Sequence, residues 1–211
     1  MKFSGLSWIH QTPDFAFEKV LWAEGLQIVA GIDEAGRGAL AGPVAAAAVV
    51  LPPNLELCQS FIGVRDSKQL SPSKRDYWAI RLRDEALSYG VGFASHTEID
   101  GLGIVPATRL AIDRALCNLP LSPQHLLIDF LTLPELPIPQ TSLVKGDTRC
   151  MSIAAASILA KTARDAHMHE LDRVYPGYGF AKHKGYGTAG HRQALLELGP
   201  SPAHRLTFKF H

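Results

Sequence analysis

An apolar run over residues 27–32 ends in two adjacent acids, Asp33 and Glu34, followed by Ala35 and the triplet Gly36-Arg37-Gly38. Few arrangements accept that order. The run reads as a buried strand, and carboxylates left at its end without a compensating cation are costly. Two further acids share the setting: Asp129 ends the apolar strand His125-Leu-Leu-Ile-Asp129, and Asp147 follows a strand in Lys145-Gly146-Asp147. Acids at the ends of several buried strands converge on one edge of a sheet, where four carboxylates balance about two divalent cations. Oxygen ligands with few Cys or paired His favour magnesium or manganese over zinc. Neighbouring side chains on a strand point to opposite faces, so Asp33 and Glu34 share a site only through a bend at Ala35-Gly36 or through the Glu34 main-chain oxygen. Any one of these acids also reads as a helix cap or an ion-pair partner; their recurrence carries the metal reading.

Glycines on both sides of Arg37 leave backbone amides bare beside a guanidinium, which suits a phosphodiester. The bland alternative is a tight turn with a solvated arginine. Gly36, Gly38 and Ala41 also satisfy the G-x-G-x-x-G/A dinucleotide pattern. That pattern requires a helix directly afterwards, whereas Gly42-Pro43 and a β-prone run over 44–51 follow. Residues 64–83 hold six basic residues (Arg65, Lys68, Lys74, Arg75, Arg81, Arg83) against Asp66 and Asp76. Lys182, Lys184 and Arg192 fall near His183, His191 and Tyr186 with no acid between them. Basic residues beside an aromatic and glycines suit a sugar-phosphate backbone.

The middle of the chain alternates strand and helix signals. Strands are expected over 27–33, 44–51, 91–96, 125–130 and 141–144, with four alanines leaving a helix open for the second. Helices are expected from Ser71-Pro72 to about residue 89, from Pro106 to before Pro120, over 148–174, and over 188–198. The alternation favours a mixed α/β domain, a sheet flanked by helices. Residues 1–26, with scattered aromatics, read as an extension packed on the body, and residues from about 175 onward as a small helical appendage to one domain over 27–211. Hydrophobic residues at 46% and charged residues at 19% of 211 exclude disorder and coiled coil. The net charge of +1 gives no global argument for a polyanion. No apolar run approaches the roughly 20 residues of a membrane span. Three separated cysteines without a Cys-x-x-Cys pair point to a reducing cytoplasm.

The ordered motifs GIDEAGRG at 31–38, RDSKQLS at 65–71, LLID at 126–129, KGD at 145–147, SIAAASILAK at 152–161, and YPGYGF with HKGYGT at 175–188 resemble the bacterial ribonuclease HII family from about residue 29 to 208. The related type with lysine in the glycine triplet and an added N-terminal substrate-binding domain is less similar, because Arg37 is present and only 26 residues lead the body. The resemblance implies a ribonuclease-H-like fold, a mixed sheet flanked by helices, with a small C-terminal helical part. It implies an endonuclease that cuts the RNA strand of RNA–DNA hybrids and incises at a lone ribonucleotide in duplex DNA. By motif match, Asp33, Glu34, Asp129 and Asp147 would be the catalytic, metal-binding acids, with Mn(2+) or Mg(2+) as cofactor. Gly36, Arg37 and Gly38 would read the ribose 2′-hydroxyl and adjacent phosphates, Lys68 would contact a phosphate, and Tyr186 would pack on the next deoxyribose. Two-metal hydrolysis with 5′-phosphate and 3′-hydroxyl ends is the mechanism expected, in a cytoplasmic monomer without a membrane partner. Phe130 departs from the family, where a glycine is expected after the aspartate. Asp165, close after Lys161 on the long helix, reads as an ion-pair partner outside the site. A catalytically silent hybrid binder is the competing class, and the four acids argue against it. A zinc hydrolase is disfavoured, since His167, His169 and His183 make no helical pair with a Glu.

Overall fold

The computed structural model describes residues 12–210 except residue 55. Five strands form one sheet in the order β3-β2-β1-β4-β5. They are β1 (Val29–Ala35), β2 (Val44–Val50), β3 (Ser88–Ala94), β4 (His125–Asp129) and β5 (Gln140–Leu143). β1, β2 and β3 pair antiparallel, whereas β4 and β5 continue parallel to β1. The run of four alanines is therefore a strand. β2 is buried along its whole length, so small side chains suit a strand covered on both faces.

The two faces of the sheet have different covers. Ala47 and Val49 of β2 pack under the long helix α5 (Met151–Val174), with Ala154, Ala155, Ile158 and Leu159. Val44, Ala46, Ala48 and Val50 face the opposite core, built with α4 (Ile104–Cys117) through Ala107, Ala111, Ile112 and Ala115. α5 lies tight on β1: a Cβ at Gly31 would stand 2.1 Å from the Ser152 carbonyl carbon. Glycine at 31 is thus required by close approach.

Several boundaries differ from the sequence expectation. α2 (Pro72–Glu85) stops short of residue 89, because Leu87 N–H donates to the Val50 carbonyl at 2.9 Å and Ser88 pairs with Val50. Pairing with the sheet overrides the local helical period, and β3 begins three residues earlier than expected. The end of the expected strand over 91–96 becomes the start of a short helix, α3 (His96–Leu102). A capping box between Ser95 and Glu98 opens it. α4 then starts two residues before Pro106, which sits in the first turn where no intrahelical donor is needed. Residues 146–148 form a 3-10 turn ahead of α5.

The first eleven residues of the expected extension lie outside the described residues. Over its remainder, α1 (Ala16–Ala23) buries Phe17 and Leu21 against Val29, Leu127 and Ile153. Buried Glu18 accepts from Ser152 N–H at 2.7 Å, at the N-terminus of α5. Beyond α5 come the short helix α6 (Phe180–His183) and α7 (Ala189–Leu198); Phe180 of α6 and Ala203, past the end of α7, pack on Met168 and Ala41. Among the described residues no helix is long and apolar enough to cross a membrane.

Candidate active site

Because β1, β4 and β5 run parallel, their C-terminal ends reach one edge of the sheet. That edge receives all four acids singled out in the sequence. Asp33 and Glu34 are the fifth and sixth residues of β1, Asp129 is the last of β4, and Asp147 lies in the 3-10 turn that joins β5 to α5. The turn is tied to β4 by Gly146 N–H, which donates to Asp129 Oδ1 at 2.7 Å. β1 stays extended through Ala35 and breaks at Gly36, at φ +93°. Asp33 is buried, and its Oδ1 accepts from Glu34 N–H at 2.8 Å.

Burial and mutual repulsion hold these carboxyls above the ordinary range. Asp33 is raised well above it, first by burial and then by Glu34 and Asp129. Glu34, Asp129 and Asp147 are raised too, each chiefly by burial. Two cations partly offset the charge. The Arg37 guanidinium lies 3.1 Å from Glu34 Oε1, and Lys68 Nζ stands 3.5 Å from Asp147 Oδ2 and 3.8 Å from Asp66 Oδ1. Burial alone would lower the Lys68 ammonium; Asp66, Asp147 and Asp33 carry it upward.

Among the described residues no three His, Cys, Asp or Glu side chains already close around one point as a cation would require. The donor chemistry nonetheless fits hard divalent cations: every acid offers oxygen only, and each is held in a state that added positive charge would relieve. Asp165 lies outside this group, ion-paired with Lys161 at 2.6 Å and Arg75 at 3.9 Å.

The glycine triplet opens onto a groove of about 400 Å³ lined by Glu34, Gly36, Arg37, Gly38, Lys68 and Tyr186. Tyr186 is held by its neighbours on both sides. Its N–H donates to the His183 carbonyl at 3.0 Å, and its carbonyl accepts from Thr188 N–H at 2.8 Å. Its ring faces Arg164 Cζ at 5.4 Å and Lys161 Nζ at 5.8 Å. A second groove, of about 520 Å³, shares Lys161 and Tyr186 with the first and carries Arg75, Lys182 and Lys184. The basic clusters read from the sequence thus contribute Lys68 to one groove, and Arg75, Lys182 and Lys184 to the next.

Phe130 occupies the left-handed region at φ +59° and is 65% exposed. Its ring stays out of the core. The backbone there is the kind that favours glycine, the residue the motif led one to expect. Asp66 was not singled out as a site residue: it entered the sequence reading as a local charge and as one position of RDSKQLS, yet it is buried and accepts from Lys68 N–H at 3.0 Å. The signal was its place between the apolar Val64 and Leu70, both buried. Ser157 was missed as well; its hydroxyl lies where it eases the rise of the Asp33 carboxyl, and it meets Ser67 Oγ at 2.9 Å.

Comparison with known proteins agrees with this fold. The Ribonuclease HII family model matches residues 30–211. A Ribonuclease HII of Dehalococcoides mccartyi is 52% identical over 93% of this chain and 92% of its own length. One from Thermus thermophilus is 53% identical over 90% of each chain. The crystal structure of ribonuclease H2 from Pyrococcus horikoshii superposes with a TM-score of 0.70, at 27% identity, over 86% of this chain and 94% of that one. The chain belongs to the ribonuclease HII family of endoribonucleases.

Proposed function

We propose that this chain cuts the RNA strand of RNA–DNA hybrids and incises on the 5′ side of a single ribonucleotide embedded in duplex DNA, leaving 5′-phosphate and 3′-hydroxyl ends. Support comes chiefly from one observation: Glu34, at the acid edge, and the glycine triplet line the same groove, and Glu34 and Arg37 are ion-paired across it. A group that cuts and a group that reads the sugar then act on adjacent atoms of one strand.

Asp33, Glu34, Asp129 and Asp147 would hold the divalent cations, magnesium or manganese. When bound, these supply Lewis acidity and neutralise charge at the phosphate. The remaining roles belong to the chain. The 2′-hydroxyl is the one group that separates ribose from deoxyribose, and the amides around Gly36 and Gly38 probe it at close range because no side chain intervenes. Arg37, paired on one side with Glu34, keeps further donors free for a phosphate oxygen. Lys68 balances Asp66 and Asp147 and offers its ammonium to a second phosphate. Tyr186 supplies a flat surface for the next deoxyribose, and the groove bearing Arg75, Lys182 and Lys184 continues the phosphate path.

Product-end analysis tests the chemistry. Digestion of a hybrid duplex with magnesium or manganese should give 5′-phosphate and 3′-hydroxyl termini. A 2′,3′-cyclic phosphate would mean that the 2′-hydroxyl attacks, and would overturn the proposal.

A further inference from the structure

Arg164 and Arg205 are fully buried. Among the described residues neither forms an ion pair, and their donors go to main-chain carbonyls instead. Arg164 donates from Nε to Pro43 at 2.8 Å, from Nη1 to Lys184 at 2.9 Å, and from Nη2 to Ala41 at 3.2 Å. Arg205 donates from Nε to Gly42 at 2.9 Å, from Nη1 to Arg37 at 2.9 Å, and from Nη2 to Gly36 at 2.8 Å. Two unpaired guanidiniums in the interior are expensive, so their retention calls for a reason beyond packing.

The carbonyls they hold supply that reason. A trans peptide directs its C=O and N–H to opposite sides, and no peptide bond among the described residues is cis. With the Gly36 and Arg37 carbonyls drawn inward onto Arg205, the N–H groups of Arg37 and Gly38 are turned away from it. No described group accepts a hydrogen bond from either. Arg164 closes the other flank: a Cβ at Gly36 would stand 1.9 Å from Arg164 Nε. Through Lys184 it also ties the loop bearing Tyr186 to the connection between β1 and β2.

We propose that Arg205 is a positioning residue for sugar recognition: by gripping the carbonyls of Gly36 and Arg37, it aims the next two amides at the ribose 2′-hydroxyl. Arg164 braces the same turn and sets its distance from Tyr186. The inference rests on the reading of the glycine triplet given above. A planar fork is what the task requires, since it holds adjacent carbonyls in fixed directions, as a lysine ammonium does not. Burial pulls Arg205 down to about 9, which leaves it charged at neutral pH.

The test is binding, by fluorescence anisotropy without divalent metal, of two duplexes that differ only in one ribonucleotide against its deoxy counterpart. The wild type should prefer the ribonucleotide duplex. Arg205→Gln should lower that preference by roughly tenfold or more, the loss of an oriented hydrogen bond, while affinity for the deoxy duplex changes little. Arg205→Lys, which keeps the charge but loses the fork, should lie between them, and it decides the matter alone if the glutamine variant does not fold. A purely structural role would weaken both duplexes together and leave their ratio intact. An unchanged ratio in a folded variant overturns the proposal while the reading of the triplet stands. A wild type without preference overturns the reading of the triplet, and the proposal with it.

Discussion

Asp33 shows at the scale of one residue how a site opposes the fold that carries it. Its carboxyl is raised by burial and by Glu34 and Asp129. A carboxyl raised in the folded state lends stability below its ordinary pKa and loses it as the pH rises through the folded value. The metal-free protein should therefore be less stable at neutral pH than Asp33 would allow if it were uncharged. Asp33→Asn should raise the metal-free melting temperature at pH 7 by a few degrees and flatten its decline with rising pH, with cleavage lost. Calorimetry of both proteins without metal checks this; an equal or lower melting temperature for the variant would contradict it. The acids were legible because Asp33-Glu34 and Asp129 end apolar runs and Asp147 follows closely after another. Asp66 carried a local signal of burial in its place between Val64 and Leu70, but its nearness to the acids depends on a loop folding back onto α5, where Ser67 meets Ser157, and that is not encoded locally. Arg164 and Arg205 were hidden for a similar reason: a buried arginine without a carboxylate looks like surface charge until its carbonyl partners are known.

At the scale of elements, three parallel strand ends bring acids distant in sequence to one edge, and that much was readable from the apolar runs. Element boundaries were not. α2 ends where β3 takes up pairing with β2, and α3 owes its existence to Ser95 and Glu98 capping each other. Both are settled by partners rather than by period. The packing of α5 on β1 gives a sharp test, since a Cβ at Gly31 would stand 2.1 Å from Ser152 backbone. Gly31→Ala should force helix and strand apart and cost about 3 kcal/mol. Urea denaturation should show a lower midpoint with an unchanged slope; an unchanged midpoint would mean that α5 sits more loosely than described.

At the scale of the whole molecule, the C-terminal segment locks the grooves to the sheet through histidines with fixed tautomers. His191 Nδ1–H donates to the Tyr186 carbonyl at 3.0 Å, so its Nε2 accepts from His204 Nε2–H at 3.0 Å. His204 Nδ1 in turn accepts from Ser201 N–H at 2.9 Å. Burial lowers His191 and brings His204 down to about 4. A base lowered in the folded state leaves stability intact above its ordinary pKa of 6.5, and that stability is lost as the pH falls toward the folded value. Acidification from pH 7 to 4 should thus remove on the order of 3 kcal/mol through His204, and His204→Asn should show a shallower pH slope from a lower start. Melting curves across that range decide it; parallel slopes would contradict it.

The measurement that bears most directly on the acid edge and glycine turn as one ribonucleotide-reading nuclease is cleavage of a DNA duplex carrying a single ribonucleotide. Wild type, Asp129→Asn and an all-DNA control would be compared with magnesium or manganese. One incision on the 5′ side of the ribonucleotide, lost in Asp129→Asn and absent from the control, is the expected result. Binding without incision, or equal cutting of the all-DNA duplex, would contradict it.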